Sequence, residues 1–113
     1  MAFNEHLADK LRVELERRNI PFEEKKMMGG LCIMVDDKMC MGVIKEDLMA
    51  RVGPHVYEEF QRKQGARLMD FTKRPMKGYL YLNSDGWDDD EELASWIDQC
   101  LAFNKEAKSS KKK

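Results

Sequence analysis

The stretch FTKRPMKGYLYL, from Phe71 to Leu82, gives the clearest indication of the fold and of a candidate site. Its second half alternates tyrosine and leucine, which predicts a strand with aromatics on one face and leucines on the other. Its first half is a loop around Pro75 that gathers three cations, Lys73, Arg74 and Lys77. A cationic loop that leads directly into a core strand predicts a binding site at the junction.

The composition of the whole chain is that of one soluble globular domain. The chain has 113 residues, of which 42% are hydrophobic and 36% are charged. No apolar run approaches the ~18 residues that a membrane span needs, and the N-terminus predicts no secretory signal. The odd number of cysteines, three, predicts reduced thiols and a cytoplasmic location.

The net charge of −1 is unevenly distributed along the chain. Residues 105–113 contain five lysines and one glutamate, so residues 1–104 carry fifteen basic and twenty acidic side chains. A folded domain over residues 1–104, followed by a disordered lysine-rich tail over residues 105–113, is therefore predicted. A domain specialised for nucleic-acid binding usually has the opposite charge distribution.

Hydrophobic periodicity predicts a helix at each end of the domain. Asn4 is placed to cap the first helix, in which Leu7, Leu11 and Leu15 form a stripe with a spacing of four. Five consecutive acids begin the last helix, where they suit the positive end of the helix dipole. Apolar residues at helical spacing follow them: Leu93, Trp96, Ile97, Cys100 and Leu101.

Short apolar runs separated by turns predict the sheet between these helices. The polar segment Phe22–Met27 suits an edge strand, and Gly53-Pro54 suits the start of a second helix, with His55 in its first turn. No periodicity is visible from Ala66 to Pro75, and Ser84 to Gly86 reads as a turn. The remaining predicted strands are Leu31–Val35 and Lys38–Ile44, which form a hairpin, then Leu48–Val52 and Gly78–Leu82. The fold class is thus α+β, a mainly antiparallel sheet of about five strands with three helices.

Four stretches resemble the N-terminal domain of the TfoX (Sxy) family. They are KKMMGGLCIMV (25–35), LMARVGP (48–54), MDFTKRPMKGYLYL (69–82) and DDDEELASWIDQCLAF (88–103). The resemblance implies a stand-alone α+β domain, related to regulators of natural-competence genes, with no established catalytic residues. It therefore implies a non-catalytic role in regulation.

The candidate site consists of Arg51, Lys73, Arg74, Lys77 and Tyr79. Guanidinium and ammonium groups are the usual donors to anions, and cations beside an aromatic ring are frequent anchors at interfaces. Arg51 stands out because it projects from a predicted strand. We expect this site to bind an unknown regulatory protein partner or an anion, and we expect no catalytic residue, metal or cofactor.

Other readings of these features stay open. The cations also suit a solvated loop in which they pair with nearby acids such as Asp70, and taken alone they favour that interpretation. The basic loop and the lysine-rich tail also suit weak nonspecific nucleic-acid binding, and the apolar hairpin suits a homodimer contact. The hairpin's sulfur-containing side chains favour core packing over a Cu(I) site; they are Cys32, Met34, Met39, Cys40 and Met41.

Overall fold

The computed structural model describes residues 3–27, 30–68 and 78–106, without the side chains of Met27 and Leu68. The strands in this part of the chain are β1 (Glu23–Met27), β2 (Gly30–Val35), β3 (Lys38–Ile44), β4 (Asp47–Arg51), β5 (Ala66–Leu68) and β6 (Tyr79–Leu82). The helices are α1 (Glu5–Arg17), α2 (Tyr57–Gln61), α3 (Ser84–Trp87) and α4 (Asp90–Glu106). The strands form one antiparallel sheet in the order β1-β2-β3-β4-β6-β5. The predicted α+β class is confirmed, with one strand and one helix more than expected among the described residues.

Helix α1 forms as its capping residue and leucine stripe predict. The Oδ1 atom of Asn4 accepts a hydrogen bond of 3.0 Å from the backbone N–H of Leu7, which satisfies one of the free donors at the helix start. Leu7, Leu11 and Leu15 are fully buried. The predicted apolar stripe therefore packs onto the sheet.

Helix α4 buries its predicted face and ends beyond the predicted boundary of the domain. Leu93, Trp96, Ile97 and Cys100 are buried, and the half-buried Leu101 packs against the same core. The helix continues to Glu106, two residues into the segment predicted as a tail. Residues 107–113 lie outside the described residues.

The predicted hairpin is formed by β2 and β3. Asp36 and Asp37 both have positive φ angles, 57° and 63°, as a two-residue type I′ turn requires. The register shifts between Ile33, which pairs with Met41, and Met34, which pairs with Met39. Cys40 is consequently the extra residue of a β-bulge in β3.

Strand β1 lies at one edge of the sheet, as its charged sequence predicts. Lys25 opposes Cys32 on one face, and Glu24 opposes Ile33 on the other. Arg12 of α1 donates to Glu24 through Nε and Nη2, at 2.6 and 3.0 Å. This ion pair fixes the edge strand to the first helix.

The second helix was predicted too early in the chain. Pro54 and His55 instead lie in a turn, and Gly53 before them has a φ angle of 92°. Helix α2 begins only at Tyr57, with Val56 as its N-cap residue.

Two short elements were not predicted. The three-residue strand β5 pairs with β6 within the stretch that shows no periodicity. The predicted turn at Ser84 to Gly86 is instead the one-turn helix α3, which Asn83 caps by accepting a hydrogen bond of 3.0 Å from the N–H of Asp85.

The main core lies between the helices and one face of the sheet. Residues from all four helices share it with alternate residues of β2, β4 and β6, namely Leu31, Ile33, Val35, Leu48, Ala50, Leu80 and Leu82. The intervening residues of β4, among them Met49 and Arg51, therefore belong to the opposite face, as predicted. Within the described residues, no helix has the length and apolar character needed to cross a bilayer.

Candidate partner-binding site

Arg51 lies at the end of β4 between two aromatic rings. Its Cα pairs with that of Tyr79, the first residue of β6. Its guanidinium carbon lies 5.5 Å from the centroid of the Tyr79 ring and 5.4 Å from the centroid of the Phe103 ring in α4. Both distances are within the range of cation–π attraction. All three residues are only partly buried, so each keeps some exposed surface.

The backbone around Gly53 brings Phe103 to Arg51. The N–H groups of Val52 and Gly53 both donate to the carbonyl of Gly78, at 2.9 and 3.1 Å, and so hold the end of β4 against the start of β6. A Cβ atom on Gly53 would overlap the Phe103 ring, with its Cγ only 2.7 Å away. Glycine at this position therefore admits both the positive φ angle and the close approach of the ring.

Most of the hydrogen-bonding capacity of Arg51 is unused within the described residues. Its Nη1 donates to the backbone carbonyl of Met39 at 3.2 Å. An arginine side chain carries five N–H donors, and no described carboxylate lies within ion-pair distance of this one. Donors thus remain for a ligand.

The other arginines in this part of the chain show how unusual Arg51 is. Four of them form carboxylate ion pairs, namely Arg12 with Asp9 and Glu24, Arg17 with Glu14, Arg18 with Glu14 and Asp98, and Arg67 with Asp47. Arg62 also lacks a described carboxylate partner, but it is exposed at the end of α2. Arg51 is the half-buried arginine of the described residues that has no acid beside it.

Arg67 provides a close comparison with Arg51 on the same sheet. It opposes Tyr81 across β5 and β6, as Arg51 opposes Tyr79 across β4 and β6. Its guanidinium carbon lies 4.7 Å from the centroid of the Tyr81 ring. Its Nη2 donates to a carboxylate oxygen of Asp47 at 2.7 Å. Each arginine thus faces a tyrosine of β6, Tyr79 for Arg51 and Tyr81 for Arg67. Among the described residues, only Arg67 of these two arginines has a carboxylate partner.

A comparison with known families identifies the domain. The family model described as TfoX N-terminal domain matches residues 15–104. The chain belongs to the TfoX N-terminal domain family. The matched range includes Arg51, Tyr79 and Phe103. No curated protein and no solved structure matched the chain.

The structure brings together two of the five predicted site residues of this TfoX N-terminal domain. Arg51 and Tyr79 are direct cross-strand neighbours. The other three, Lys73, Arg74 and Lys77, lie outside the described residues, as does Asp70, and their part in the site stays a prediction.

Phe103 and the Met39 carbonyl were not predicted as parts of the site. Phe103 follows Cys100 by three residues, so the helical spacing of α4 could have placed it on the sheet-facing side. No sequence signal points to the carbonyl of Met39, because its position depends on the bulge in β3.

A second surface of this TfoX N-terminal domain, a groove of about 490 Å³, lies between α1 and α4. The cations that line it, Arg17 and Arg18, both pair with Glu14, and Arg18 also pairs with Asp98. Both of these cations are therefore already paired with acids of the chain, whereas Arg51 has no carboxylate partner among the described residues.

Most of the hairpin's sulfur-containing side chains are buried, as their apolar runs predict, and Met39 is half-buried. Cys32, Cys40 and Cys100 are buried free thiols. Burial raises the pKa of Cys40 to about 12 and that of Cys100 well above its usual value, so both are protonated near neutral pH. Within the residues that the structure covers, no cluster of three or more histidine, cysteine or acidic side chains is arranged to hold a metal ion.

Proposed function

We propose that this TfoX N-terminal domain is a non-catalytic regulatory module that acts by binding a protein partner. The contact surface, termed here the Arg51 site, consists of Arg51, Tyr79 and Phe103. The observation that carries the proposal is Arg51, a half-buried residue whose guanidinium lies between two rings and has no carboxylate partner among the described residues. The predicted loop cations Lys73, Arg74 and Lys77 would extend this surface, because Gly78 joins their loop to β6.

The physical chemistry of the Arg51 site suits protein recognition. Arginine and tyrosine are enriched among the residues that dominate binding energy at protein interfaces. The two rings and the Met39 carbonyl restrain the guanidinium before a partner arrives. Less side-chain entropy is then lost on binding than for a freely rotating arginine.

Membership of the family supports the proposed regulatory setting. The resemblance to the N-terminal domain of competence regulators supports a role in gene regulation, and partner binding is a means of regulation that requires no catalytic group. The proposed partner is accordingly a regulatory protein in the cytoplasm.

Affinity capture from cells of the native host tests this function. Arg51→Glu, and separately the pair Arg74→Glu and Lys77→Glu, should reduce partner recovery by about tenfold or more, because charge reversal replaces attraction by repulsion. The melting temperature of the Arg74 and Lys77 double variant should stay within about 2 °C of the parent, whereas Arg51→Glu, which also loses its contacts with two rings, should lower it by several degrees and still leave a folded domain. Arg62→Glu is the matched control, since it makes the same charge change at an exposed arginine outside the site. Equal recovery from Arg51→Glu and Arg62→Glu would contradict the proposal.

A gel-shift assay examines nucleic-acid binding, the alternative function. Binding through the lysine-rich tail should disappear when residues 105–113 are removed and should weaken steeply with salt. Specific, salt-resistant binding by the chain without its tail would favour nucleic acid over protein as the partner.

A further inference from the structure

We infer that the Arg51 site recognises the carboxylate of an acidic segment in the partner protein. This inference rests on the proposed function and specifies the chemistry of the partner. An aspartate or glutamate side chain would accept hydrogen bonds from the guanidinium donors that the Met39 carbonyl does not use. Tyr79 and Phe103 would flank the ion pair.

The same sheet already contains an arginine–carboxylate pair beside a tyrosine, the arrangement that we infer for Arg51. Arg67 packs over Tyr81 and binds the carboxylate of Asp47 at 2.7 Å. Arg51 packs over Tyr79 in the equivalent cross-strand position, on the other side of β6. In the inferred complex, the partner's carboxylate would play for Arg51 the part that Asp47 plays for Arg67.

The partial burial of Arg51 should strengthen its attraction to a carboxylate. The side chain of Arg67 is 54% exposed in its ion pair with Asp47, whereas Arg51 is more buried and has a second ring beside it. Electrostatic attraction strengthens as the surroundings exclude water. A carboxylate at Arg51 should therefore be bound more strongly than a fully exposed ion pair would suggest.

Charge around the site favours a carboxylate over the phosphates of a nucleic acid. A nucleic-acid strand brings several charges and is bound by several free cations. The residues up to 104 carry five more acidic than basic side chains. Lys38, the residue before Met39, already has partners within the chain. Its Nζ donates to the carbonyl of Asn104 at 2.8 Å and lies 3.7 Å from a carboxylate oxygen of Asp36. Among the described residues the site offers one arginine with aromatic neighbours, which suits a single carboxylate better than a polyphosphate chain.

The experiment is a titration followed by nuclear magnetic resonance of the arginine Nε–Hε groups. The probes are a hexaglutamate peptide blocked at both ends, the matching hexaglutamine peptide, and a hexanucleotide of single-stranded DNA. The Arg51 signal, assigned by its loss in Arg51→Lys, should shift saturably with hexaglutamate and stay in place with hexaglutamine. The Arg67 signal should stay in place, because Asp47 occupies that guanidinium.

The variants give the size of the expected effect. Arg51→Gln should weaken hexaglutamate binding by about tenfold, the loss expected for hydrogen bonds to a charged group. Arg67→Gln should leave binding within about twofold of the parent, and circular dichroism should show that both variants remain folded.

The possible results separate this inference from the proposed function. An Arg51 signal unmoved by hexaglutamate, or moved more by the DNA, would overturn the carboxylate inference. If Arg51→Glu still abolished partner capture in that case, the proposed function would stand with a different ligand chemistry. A saturable shift with hexaglutamate would support carboxylate binding at Arg51, and capture that did not depend on Arg51 would then refute the proposed function while leaving Arg51 as a carboxylate-binding residue of some other role.

Discussion

Arg51 and Tyr79 face each other across β4 and β6, with the guanidinium carbon 5.5 Å from the centroid of the ring. On the other side of β6, Arg67 and Tyr81 form a similar pair at 4.7 Å, completed by the carboxylate of Asp47. The difference between these two pairs is the physical basis of the proposed function. Within the part of the chain that the structure describes, the sheet supplies an acid to Arg67 and none to Arg51, and the proposal assigns that place to an acid of the partner.

The Phe103 ring should aid binding at Arg51 by restraining the guanidinium. Phe103→Leu retains an apolar side chain but removes the ring that lies 5.4 Å from the guanidinium carbon. Because this contact already exists in the free domain, its loss should weaken hexaglutamate binding by the side-chain entropy that the ring saves, about 0.5–1.5 kcal/mol or twofold to tenfold. The measurement is the same titration used for Arg51→Gln. In the double variant with Arg51→Gln, the Phe103 substitution should have little additional effect, and full additivity would show that the ring acts independently of Arg51.

Much of the fold could be predicted from local sequence, because local patterns encode its main elements. The Asn4 cap, the leucine stripe of α1 and the apolar spacing of α4 each specify a helix without reference to the rest of the chain. The alternation in β4 likewise predicted that Arg51 points away from the core. These signals lie in neighbouring residues and need no tertiary information.

The errors arise where tertiary packing decides the conformation. Gly53-Pro54 resembles a helix start, but Gly53 is needed at positive φ where Phe103 packs closely. Strand β5 is only three residues long, too short for a recognisable period, and depends on pairing with β6.

Self-association through the hairpin stays a prediction, which light scattering of the purified chain can test.

The candidate site could be predicted only in part for the same reason. Arg51 and Tyr79 were each placed on a strand, but their contact depends on a register between segments 28 residues apart in the sequence. Phe103 reaches the site from a helix a further 24 residues along the chain. No local pattern reports contacts of this range.

Two glycines beside the site should differ in their tolerance of alanine. Gly53→Ala and Gly78→Ala both place a side chain at positive φ, 92° and 95°, which costs about 1–2 kcal/mol. At Gly78 the nearest atoms are 3.4 Å or more from the new Cβ, whereas at Gly53 the Cβ overlaps the Phe103 ring. Gly53→Ala should therefore lower the free energy of unfolding by about 1–3 kcal/mol more than Gly78→Ala does. Urea denaturation measures both values, and equal losses would show that Phe103 does not pack against Gly53 as described.

The ion pair between Arg12 and Glu24 should make stability depend on pH in the acid range. Hydrogen bonds from Arg12 lower the pKa of Glu24 below its ordinary value of 4.5. A lowered carboxyl pKa stabilises the folded state above the unfolded value, and this stabilisation is lost as the pH falls from about 4.5 through the folded pKa. Glu24→Gln should therefore destabilise the domain near pH 7 but have a smaller effect near pH 3. Urea denaturation at both pH values provides the measurement, and an effect that grew toward pH 3 would contradict the assigned ion pair.

The location of the partner contact is tested most directly by photo-crosslinking in cells of the native host. A benzoylphenylalanine replaces Tyr79 in one variant and Val13, which is 51% exposed on α1, in another. If the partner binds at the Arg51 site, the variant with the label at position 79 should form a crosslinked protein adduct. The adduct should disappear when Arg51→Gln is added and should persist when Arg67→Gln is added. An adduct from position 13 alone, or one from position 79 that survives Arg51→Gln undiminished, would contradict the account.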